Sequence, residues 1–275
     1  MQTPRQPAMD PWPNLGESRL AAALRLVGQD GFETALWGFL RVLVAPDNLV
    51  ILAYRDAGAP VVLYMQSDHP QVFAELNQTY LAGAYRLDPY YDLHRRRVHA
   101  GVYRMTDIAP DAFQRSRYFI EYYEQTTLVD EVTFVDYPSP GVSINLCLGR
   151  DGSTGRGFSA REMAACQRLA PVIGALANWH WASLARTSLP AEDTPQLLAH
   201  AAKRLHGIAL STRQSEVALL ILRGHSSVSI ALRLGLSPQT IKVFRKQLYS
   251  RCRVSSQAEL FALMLPLLKS ADDTA

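Results

Sequence analysis

Two lysines four residues apart, Lys242 and Lys246, are the side chains in this 275-residue sequence whose type and spacing point most directly to chemistry. Side chains at positions i and i+4 share one face of a helix, so the two ammonium groups would present paired positive charge to an anion. Arg245 and Arg251 add charge nearby, and residues 237–251 contain no Asp or Glu to balance it. Such a face suits the phosphates and base edges of nucleic acid.

The helix that must carry these lysines has a recognisable start and an apolar face. Ser237 is a favoured N-cap residue, and Pro238 suits the first helical position, where its missing N–H has no helical partner to lose. Ile241, Phe244 and Leu248 recur at helical spacing on a second face. A basic amphipathic helix alone is more often a solvated surface, so the surrounding pattern has to decide its function.

Three further short helices are predicted around the basic one. Gly235 separates it from an apolar helix before it, which is the spacing of a helix-turn-helix whose second helix enters the DNA major groove. Upstream, Ser211 and Gln214 form a capping box before an apolar run. Downstream, Ser256 and Glu259 form a second capping box, which opens the last helix.

Residues 210–268 resemble the DNA-binding domain of the LuxR type, also called the NarL/FixJ type. The family pattern opens with Leu-Thr-x-Arg-Glu-x-Glu-Val and continues through Gly-x-Ser, Ile-Ala-x-x-Leu, Leu-Ser-x-x-Thr-Val-Lys and Val-x-Ser. The matching positions here are Glu216, Val217, Gly224, Ser226, Ile230, Ala231, Leu234, Ser237, Thr240, Lys242 and Val254. Val228, Phe244 and Cys252 depart from a frequent Lys, His and Leu. The resemblance implies an all-α helix-turn-helix domain of four helices, in a transcription regulator that binds double-stranded DNA.

The resemblance also implies which side chains contact DNA: Thr240, Lys242, Val243, Arg245, Lys246 and Arg251. Lys242, Val243 and Lys246 match positions that face base edges, where Lys can donate to guanine O6 and N7. Arg245 and Arg251 are expected to meet phosphates. RNA polymerase is a further candidate partner of a regulator of this kind.

The last predicted helix carries more apolar side chains than one face of a four-helix domain needs: Leu260, Phe261, Leu263, Met264, Leu267 and Leu268. Pro266 should interrupt this helix near residue 265. In the family the helix pairs two DNA-binding domains on a two-fold site, which implies a homodimer. The alternative is that the apolar excess packs on the chain's own N-terminal part.

The charge of the chain is divided unevenly. Residues 210–269 hold nine Lys or Arg against two Asp or Glu, a net charge of +7, whereas the rest of the chain carries −4. A basic module beside a mildly acidic one fits a DNA reader attached to a domain that does not touch DNA. No run approaches the ~18–20 apolar residues of a membrane span, so we expect a cytoplasmic protein without membrane contact.

Motifs for catalysis and cofactor binding are missing from the sequence, which has no Gly-rich phosphate loop, no G-x-S-x-G and no H-E-x-x-H. His94, His99 and His180 have no acidic or thiol partner at motif spacing. The three cysteines lie far apart without a C-x-x-C, which predicts neither a zinc site nor a disulfide framework. We therefore predict a protein that is not an enzyme and needs no cofactor or metal.

Length and composition predict four segments. Residues 1–17 are Pro-rich and are expected to be a disordered tail. Residues 18–186 should form a sensor domain and residues 206–270 the DNA-binding domain. Residues 187–205 are expected to be the linker between them, with a helix over residues 196–205.

Residues 18–186 are predicted to be an α+β domain. Strands are expected at residues 49–54, 61–64, 101–105, 131–135 and 142–148, and helices at residues 20–27, 32–43, 70–81, 111–125 and 159–184. Pro171 should kink or break the last of these helices. Flanking helices with about five strands between them indicate one antiparallel sheet packed by helices. This layout resembles the GAF-like, autoinducer-binding domains that precede such DNA-binding domains in quorum-sensing regulators.

That resemblance has its best anchor at Asp88, which Pro89 follows. In the acyl-homoserine-lactone receptors an Asp, usually followed by Pro, accepts a hydrogen bond from the ligand's amide N–H. The receptors have a Trp and a Tyr before it, at the positions that Glu75 and Thr79 occupy here. Tyr80 takes the tyrosine position only with a shift of one residue, which argues against a homoserine lactone as the ligand.

Tyrosines are dense around that aspartate, as in small-molecule sites whose aromatic walls carry a few polar groups. The candidate ligand-binding residues are Tyr80, Tyr85, Asp88, Tyr122 and Asp130. The opposing interpretation is that Asp88 only caps a helix and that the pair Asp130 and Glu131 only faces water. The first functional hypothesis is therefore a regulator that senses a small molecule. The alternative is a ligand-independent regulator whose N-terminal domain serves dimerisation or binds a protein partner.

Overall fold

The structure, a computed structural model, describes residues 14–184 and 193–269. The α-helices of its N-terminal part are α1 (Asn14–Arg25), α2 (Phe32–Val44), α3 (Pro89–Arg95), α4 (Met105–Ile108), α5 (Arg117–Glu121) and α6 (Ala160–His180). The strands are β1 (Asn48–Arg55), β2 (Val61–Ser67), β3 (Gly101–Arg104), β4 (Leu128–Ser139) and β5 (Val142–Asp151). Residues 1–13, most of the predicted tail, lie outside the described ranges, and α1 begins within the remainder.

The five strands form one antiparallel sheet in the order β2-β1-β5-β4-β3, which confirms the predicted α+β fold. β1 pairs along both edges, so Ile51 lies opposite Tyr64 of β2 and Leu146 of β5. A tight turn joins β4 to β5, and Gly141 in that turn has a φ of +83°, a left-handed conformation that glycine adopts without strain.

Side chains alternate between the two faces of the sheet, as strand geometry requires. On β1, Leu49, Ile51 and Ala53 join a core with α1, α2 and α6, whereas Leu52 and Tyr54 join a second core that is rich in tyrosine. We call these two sides the helical face and the aromatic face. Because both faces are covered, β1 and β5 are buried along almost their whole length.

The aromatic face is covered by residues 70–126, which contain little regular α-helix. Besides α3, α4 and α5, this segment forms 3-10 and π turns at Pro70–Phe73, Leu76–Tyr80, Ala84–Leu87, Phe113–Arg115 and Tyr123–Thr126. The continuous helices predicted over residues 70–81 and 111–125 are therefore wrong. Burial of aromatic side chains such as Tyr118 and Tyr122 against the sheet outweighs the helical propensity of the segment.

The C-terminal part is helical throughout its described residues, with α7 (Thr194–His206), α8 (Thr212–Leu222), α9 (Ser227–Leu234), α10 (Pro238–Cys252) and α11 (Gln257–Lys269). The last four confirm the four helices predicted there. Asp193 caps α7, because its Oδ1 accepts the Gln196 N–H at 3.1 Å. Residues 194–205 of the predicted linker thus lie in α7, which packs against α8 and α11, so we assign this helix to the C-terminal domain. Residues 187–192 lie outside the described ranges.

Two helices continue through a proline. α6 is unbroken at Pro171, and α11 runs through Pro266 to Lys269. Each proline removes one helical hydrogen bond, but a buried side chain beyond it, Ile173 in α6 and Leu268 in α11, holds the following turn in place. The early end predicted for α11 is therefore wrong, because tertiary packing overrides the local preference.

Candidate functional site

α10 presents the basic face that the sequence predicts. Its N-cap residue, Ser237, accepts a hydrogen bond from the Thr240 N–H at 3.0 Å. Ile241 and Leu248 are buried in the C-terminal core, which turns the other side of the helix outward. The exposed residues on that side include Lys242, Val243 and Lys246. The helix therefore offers two ammonium groups, one turn apart, at an accessible surface.

Two arginines extend this positive surface and are anchored to the domain. Arg245 Nη1 lies 3.4 Å from Ser227 Oγ, and the Arg245 guanidinium lies 5.9 Å from the ring centroid of Tyr249. Arg251 Nη1 donates to the Ala209 carbonyl at 2.7 Å. These contacts position both charges without neutralising them, which suits contacts with a phosphate backbone.

A small buried cavity lies between the aromatic face of the sheet and the segment that covers it. Its volume is about 50 Å³, and roughly 10–15 Å³ suffices for one water molecule. The tyrosine and acidic side chains of its lining are those of Tyr54, Tyr80, Asp88, Tyr90, Tyr118, Tyr122, Tyr123 and Glu131. The other lining residues are Thr126, Cys147 and aliphatic or Phe side chains, and no described Lys, Arg or His takes part.

Asp88 links the cavity wall to α3. Its Oδ1 caps the helix by accepting the Tyr90 N–H at 2.7 Å, and its Oδ2 accepts the Tyr80 hydroxyl at 2.7 Å. Tyr80 in turn is hydrogen-bonded to the Tyr54 hydroxyl on β1. Burial raises the pKa of Asp88 to about 6, and its polar contacts with Tyr80, the Tyr90 N–H and Tyr118 limit the rise. Asp88 is thus both a helix cap and an acceptor inside the cavity.

Glu131 places a second carboxyl group in the same wall. Its Oε2 accepts the Tyr123 hydroxyl at 3.3 Å, and its backbone carbonyl accepts the Tyr90 hydroxyl at 2.9 Å. Burial first, and then the charge of Asp88, raises the pKa of Glu131 to about 8. Two carboxyl groups therefore share one poorly solvated space, and Glu131 holds its proton at neutral pH.

A π-helix brings Tyr80 to the cavity. In Leu76–Tyr80, the Tyr80 N–H donates to the Glu75 carbonyl, five residues back, at 3.1 Å. The wider turn inserts one residue relative to an α-helix, so Tyr80 is buried at the cavity. Thr79 Oγ1 instead donates to Glu75 Oε2 at 2.6 Å on the outer side. The π-helix thus places Tyr80, and not Thr79, at the cavity.

The C-terminal domain is docked on the N-terminal domain, and Asp92 of α3 is one centre of the contact. Arg223, at the end of α8, donates to the Arg86 carbonyl and to Asp92 Oδ1, both at 3.1 Å. Arg233 of α9 lies 3.4 Å from the other Asp92 oxygen. Because Arg223 and Asp92 are largely buried, salt screens their attraction less than it screens a surface ion pair.

A second centre of the contact joins α11 to the 3-10 turn Ala84–Leu87. The buried Arg86 donates from Nη1 to the Leu268 carbonyl at 3.0 Å, and its guanidinium lies 4.6 Å from the Tyr85 ring centroid. Gly83 approaches so closely that a Cβ there would lie 2.7 Å from the Leu268 oxygen. Further hydrogen bonds between the domains join Ala112 to Gly224, Asp111 to Ser226, and Gln78 to Lys269.

The chain itself covers the apolar surface of α11. The buried side chains of this helix are Leu260, Phe261, Met264, Leu267 and Leu268. They share a continuous core with residues of the N-terminal domain such as Tyr85 and Tyr118. Of the two interpretations of this surface, the structure therefore shows packing on the N-terminal domain. Pairing through the same face requires this contact to open.

The C-terminal helices correspond to a known family. Residues 209–264 match GerE, described as bacterial regulatory proteins of the luxR family. The C-terminal domain belongs to the LuxR family. A putative HTH-type transcriptional regulator in the exeN 3′ region of Aeromonas salmonicida is 28% identical over 190 residues, which cover 67% of this chain and 96% of that protein. The chain thus carries a C-terminal domain of the luxR family and is similar to a transcriptional regulator over two thirds of its length.

Solved structures show what the N-terminal domain resembles. The VqsR LBD domain from Pseudomonas aeruginosa matches with a TM-score of 0.51 and 23% identity, over 60% of this chain and 95% of that domain. Escherichia coli SdiA matches with a TM-score of 0.32 and 15% identity, over 95% of this chain and 93% of that chain. The VqsR domain shares the fold, which agrees with the predicted likeness to autoinducer-binding domains.

The tyrosine-lined cavity contains part of the predicted ligand-binding set, namely Tyr80, Asp88 and Tyr122. Tyr85 stands behind Tyr80, with 6.4 Å between the ring centroids, and does not belong to the lining. Asp130 also lies outside the lining, because it binds Arg104 at 3.0 Å and accepts the Phe158 N–H at 2.8 Å. The carboxyl group at the cavity is that of its neighbour, Glu131.

Sequence reasoning missed Tyr54 and chose the wrong member of the acidic pair for this cavity. The alternation of side chains along β4 could have identified Glu131. Val132 and Phe134 join the helical face, so Glu131 belongs to the aromatic face, where the cavity lies. The same alternation on β1 places Tyr54 at the cavity.

Other chemistry-bearing side chains lie away from the cavity. The fold gives two histidines acidic partners that motif spacing does not show, with His94 Nε2 3.5 Å from Asp56 and His180 Nε2 3.2 Å from Glu33. Across the described ranges, no group of three or more His, Cys, Asp or Glu side chains is placed to hold a metal ion. None of the helices described combines the length and the hydropathy that a membrane crossing needs.

Proposed function

We propose that this LuxR-type regulator binds a specific DNA site through α10, and that a small molecule in the tyrosine-lined cavity changes this binding. The observation that carries the proposal is the position of residues 83–92. This segment lines the cavity through Asp88 and holds the DNA-binding domain through Arg86 and Asp92. A ligand that displaces Asp88 therefore acts within about one helical turn of both interdomain contacts.

The coupling requires two arrangements of the domains with different affinities for the ligand. The docked arrangement buries the apolar face of α11 and leaves Lys242 and Lys246 exposed. We propose that release of α11 lets two copies pair as a homodimer on a two-fold DNA site. RNA polymerase is a candidate partner of the DNA-bound form.

Replacing Lys242 with Ala should weaken binding to the specific site by about 1–3 kcal/mol and relax the preference at one base pair. The reason is that an exposed Lys on this helix can donate to guanine O6 and N7. Arg251→Ala should instead weaken binding to all duplexes alike and reduce the salt dependence. Selection from a randomised duplex pool measures both effects. An unchanged selected sequence for Lys242→Ala would show that this Lys reads no base.

Replacing Asp88 with Asn tests the cavity, because Asn retains the capping ability and removes the carboxylate. Native mass spectrometry of wild type purified from its own host should show a stoichiometric small molecule. Host extract should raise the melting temperature of the wild type and change its affinity for DNA. In Asp88→Asn the response should weaken by roughly 1.5–3 kcal/mol, while the DNA sequence preference is retained.

The control for this experiment is Asp193→Ala, which removes the cap of α7 and leaves the cavity lining unchanged. It should cost about 0.5–2 kcal/mol of stability and leave the ligand-induced shift intact. A shift of equal size in wild type and Asp88→Asn would exclude Asp88 from the site.

The second candidate function is a ligand-independent regulator whose N-terminal domain binds only protein. The size of the cavity favours it, since about 50 Å³ is well below the roughly 300 Å³ at which small-molecule sites begin. Hydrogen bonds from Tyr54 to Tyr80 and from Tyr80 to Asp88 also satisfy these three side chains without a ligand. Host-purified protein without a bound molecule, and without a response to host extract, would support this candidate.

A further inference from the structure

The tyrosine-lined cavity has an imbalance of charge. Asp88 and Glu131 both face it, and their relative exposures are 7% and 8%. Among the described residues that line the cavity, none carries a basic side chain that could neutralise an ionised carboxylate. Asp88 accepts hydrogen bonds from Tyr80 and the Tyr90 N–H, but within the lining only a proton or a guest can supply positive charge.

Tyrosine rings line the cavity together with the two acids. The Tyr80 and Tyr122 rings are stacked with their centroids 5.7 Å apart, and the Tyr118 centroid lies 5.4 Å from that of Tyr122. The faces of such rings attract cations through their quadrupole. In addition, the buried Tyr118 hydroxyl makes no hydrogen bond of normal geometry among the described residues, although its interaction with Asp88 limits the rise in the pKa of that acid. A guest would compete with Asp88 for this hydroxyl.

We propose that the ligand class of this cavity is a small organic ammonium ion, whose charged head lies between Asp88 and Glu131 and against the tyrosine rings. The inference rests on the proposed sensing function and names the chemistry of its ligand. The apolar part of such a molecule would contact the aliphatic lining, which includes Val50, Leu52 and Leu76. A neutral guest would supply no positive charge to the Asp88 carboxylate, and an anion would be repelled by it.

The titration of the two acids agrees with this class of ligand. With its pKa raised to about 6, Asp88 is mostly ionised at pH 7.5, whereas Glu131, with its pKa raised to about 8, mostly holds a proton. The groups that act on Glu131 are Asp88, Asp130 and Tyr123, and none of them supplies positive charge. A bound cation would lower the pKa of both carboxyl groups, so binding should release the Glu131 proton.

A charge series of similar size tests the proposal on the full-length protein. Calorimetric titration at pH 7.5 would compare n-butylamine, n-butanol and n-butyrate. We expect saturable binding of the amine, binding of the alcohol at least tenfold weaker, and no binding of butyrate. Glu131→Gln keeps the shape of the side chain and should weaken amine binding about tenfold or more. Asp130→Asn alters the neighbouring acid outside the cavity and should keep the wild-type affinity.

Three results would overturn the ammonium assignment: no binding of the amine, equally tight binding of n-butanol, or an unchanged affinity in Glu131→Gln. Melting curves of each variant are measured with and without n-butylamine. The shift within one variant reports binding, whereas the melting temperature without amine reports stability. Experiments with host extract and host-purified protein distinguish a failure of the ammonium assignment from a failure of the proposed sensing function. A neutral host compound that alters DNA affinity would refute the ammonium class alone, whereas host extract without any effect on DNA affinity would refute sensing.

Discussion

Glu131→Gln should stabilise the protein at neutral and alkaline pH, by on the order of 3 kcal/mol at pH 8. Folding raises the pKa of Glu131 from 4.5 to about 8, chiefly by burial. A carboxyl group of this kind contributes its full stability below pH 4.5, and that contribution is lost as the pH rises through about 8. Gln still accepts the Tyr123 hydroxyl and has no proton to lose.

Urea unfolding in half-unit steps from pH 5 to pH 9 measures this effect. The free energy of unfolding of the wild type should fall with rising pH, and that of Glu131→Gln should fall much less. The free energy of unfolding of Glu131→Gln should still fall with rising pH near pH 6, because the pKa of Asp88 is also raised. Glu124→Gln, which removes an exposed carboxylate, should follow the wild type. Parallel profiles for wild type and Glu131→Gln would mean that Glu131 ionises without penalty.

Gly83→Ala should release the C-terminal domain from the N-terminal domain. Gly83 has a φ of +149°, which L-amino acids rarely adopt, and an added Cβ would lie 2.7 Å from Leu268 O and 2.8 Å from Lys269 Cα. Backbone atoms cannot yield as a flexible side chain can, so α11 must move. We expect a loss of roughly 2 kcal/mol or more in the stability of the docked form.

Hydrogen exchange of α11 and sedimentation velocity report this release. The amides of α11 should exchange faster, and the freed apolar face should produce concentration-dependent dimers. Gly58→Ala is the matched control, because Gly58 also has a positive φ, +83°, but a Cβ there would meet nothing within 4 Å. If α11 were equally protected in both variants, Gly83 would have no part in docking.

Local signals account for the part of the structure that the sequence predicts well. The caps at Ser211 and Ser237 and the glycine at position 235 act within a few residues, so the helices of the C-terminal domain can be placed from the sequence. The five strands can be placed as well, because β-branched and apolar runs between turns mark them. Asp88 as the cap of α3 is a local feature of the same kind.

The features that sequence reasoning missed depend on contacts between distant residues. Glu131 rather than Asp130 lines the cavity because β4 pairs in one register with β5, and that register sets which face each side chain occupies. The π-helix that brings Tyr80 inward has no clear sequence signal. The continuation of α11 past Pro266 depends on Arg86 and the N-terminal core, which no local pattern reveals.

The hydrogen bond between Arg86 and Leu268 joins positions 182 residues apart. Closing so long a loop is slow compared with forming local helices or the β4–β5 hairpin. The helices of the C-terminal domain can therefore form well before the apolar side of α11 is covered. During that interval a newly folding chain can meet a second chain instead of its own N-terminal domain. A higher protein concentration during synthesis should therefore raise the share of early pairs over docked monomers, because encounter rates rise with concentration while docking rates do not.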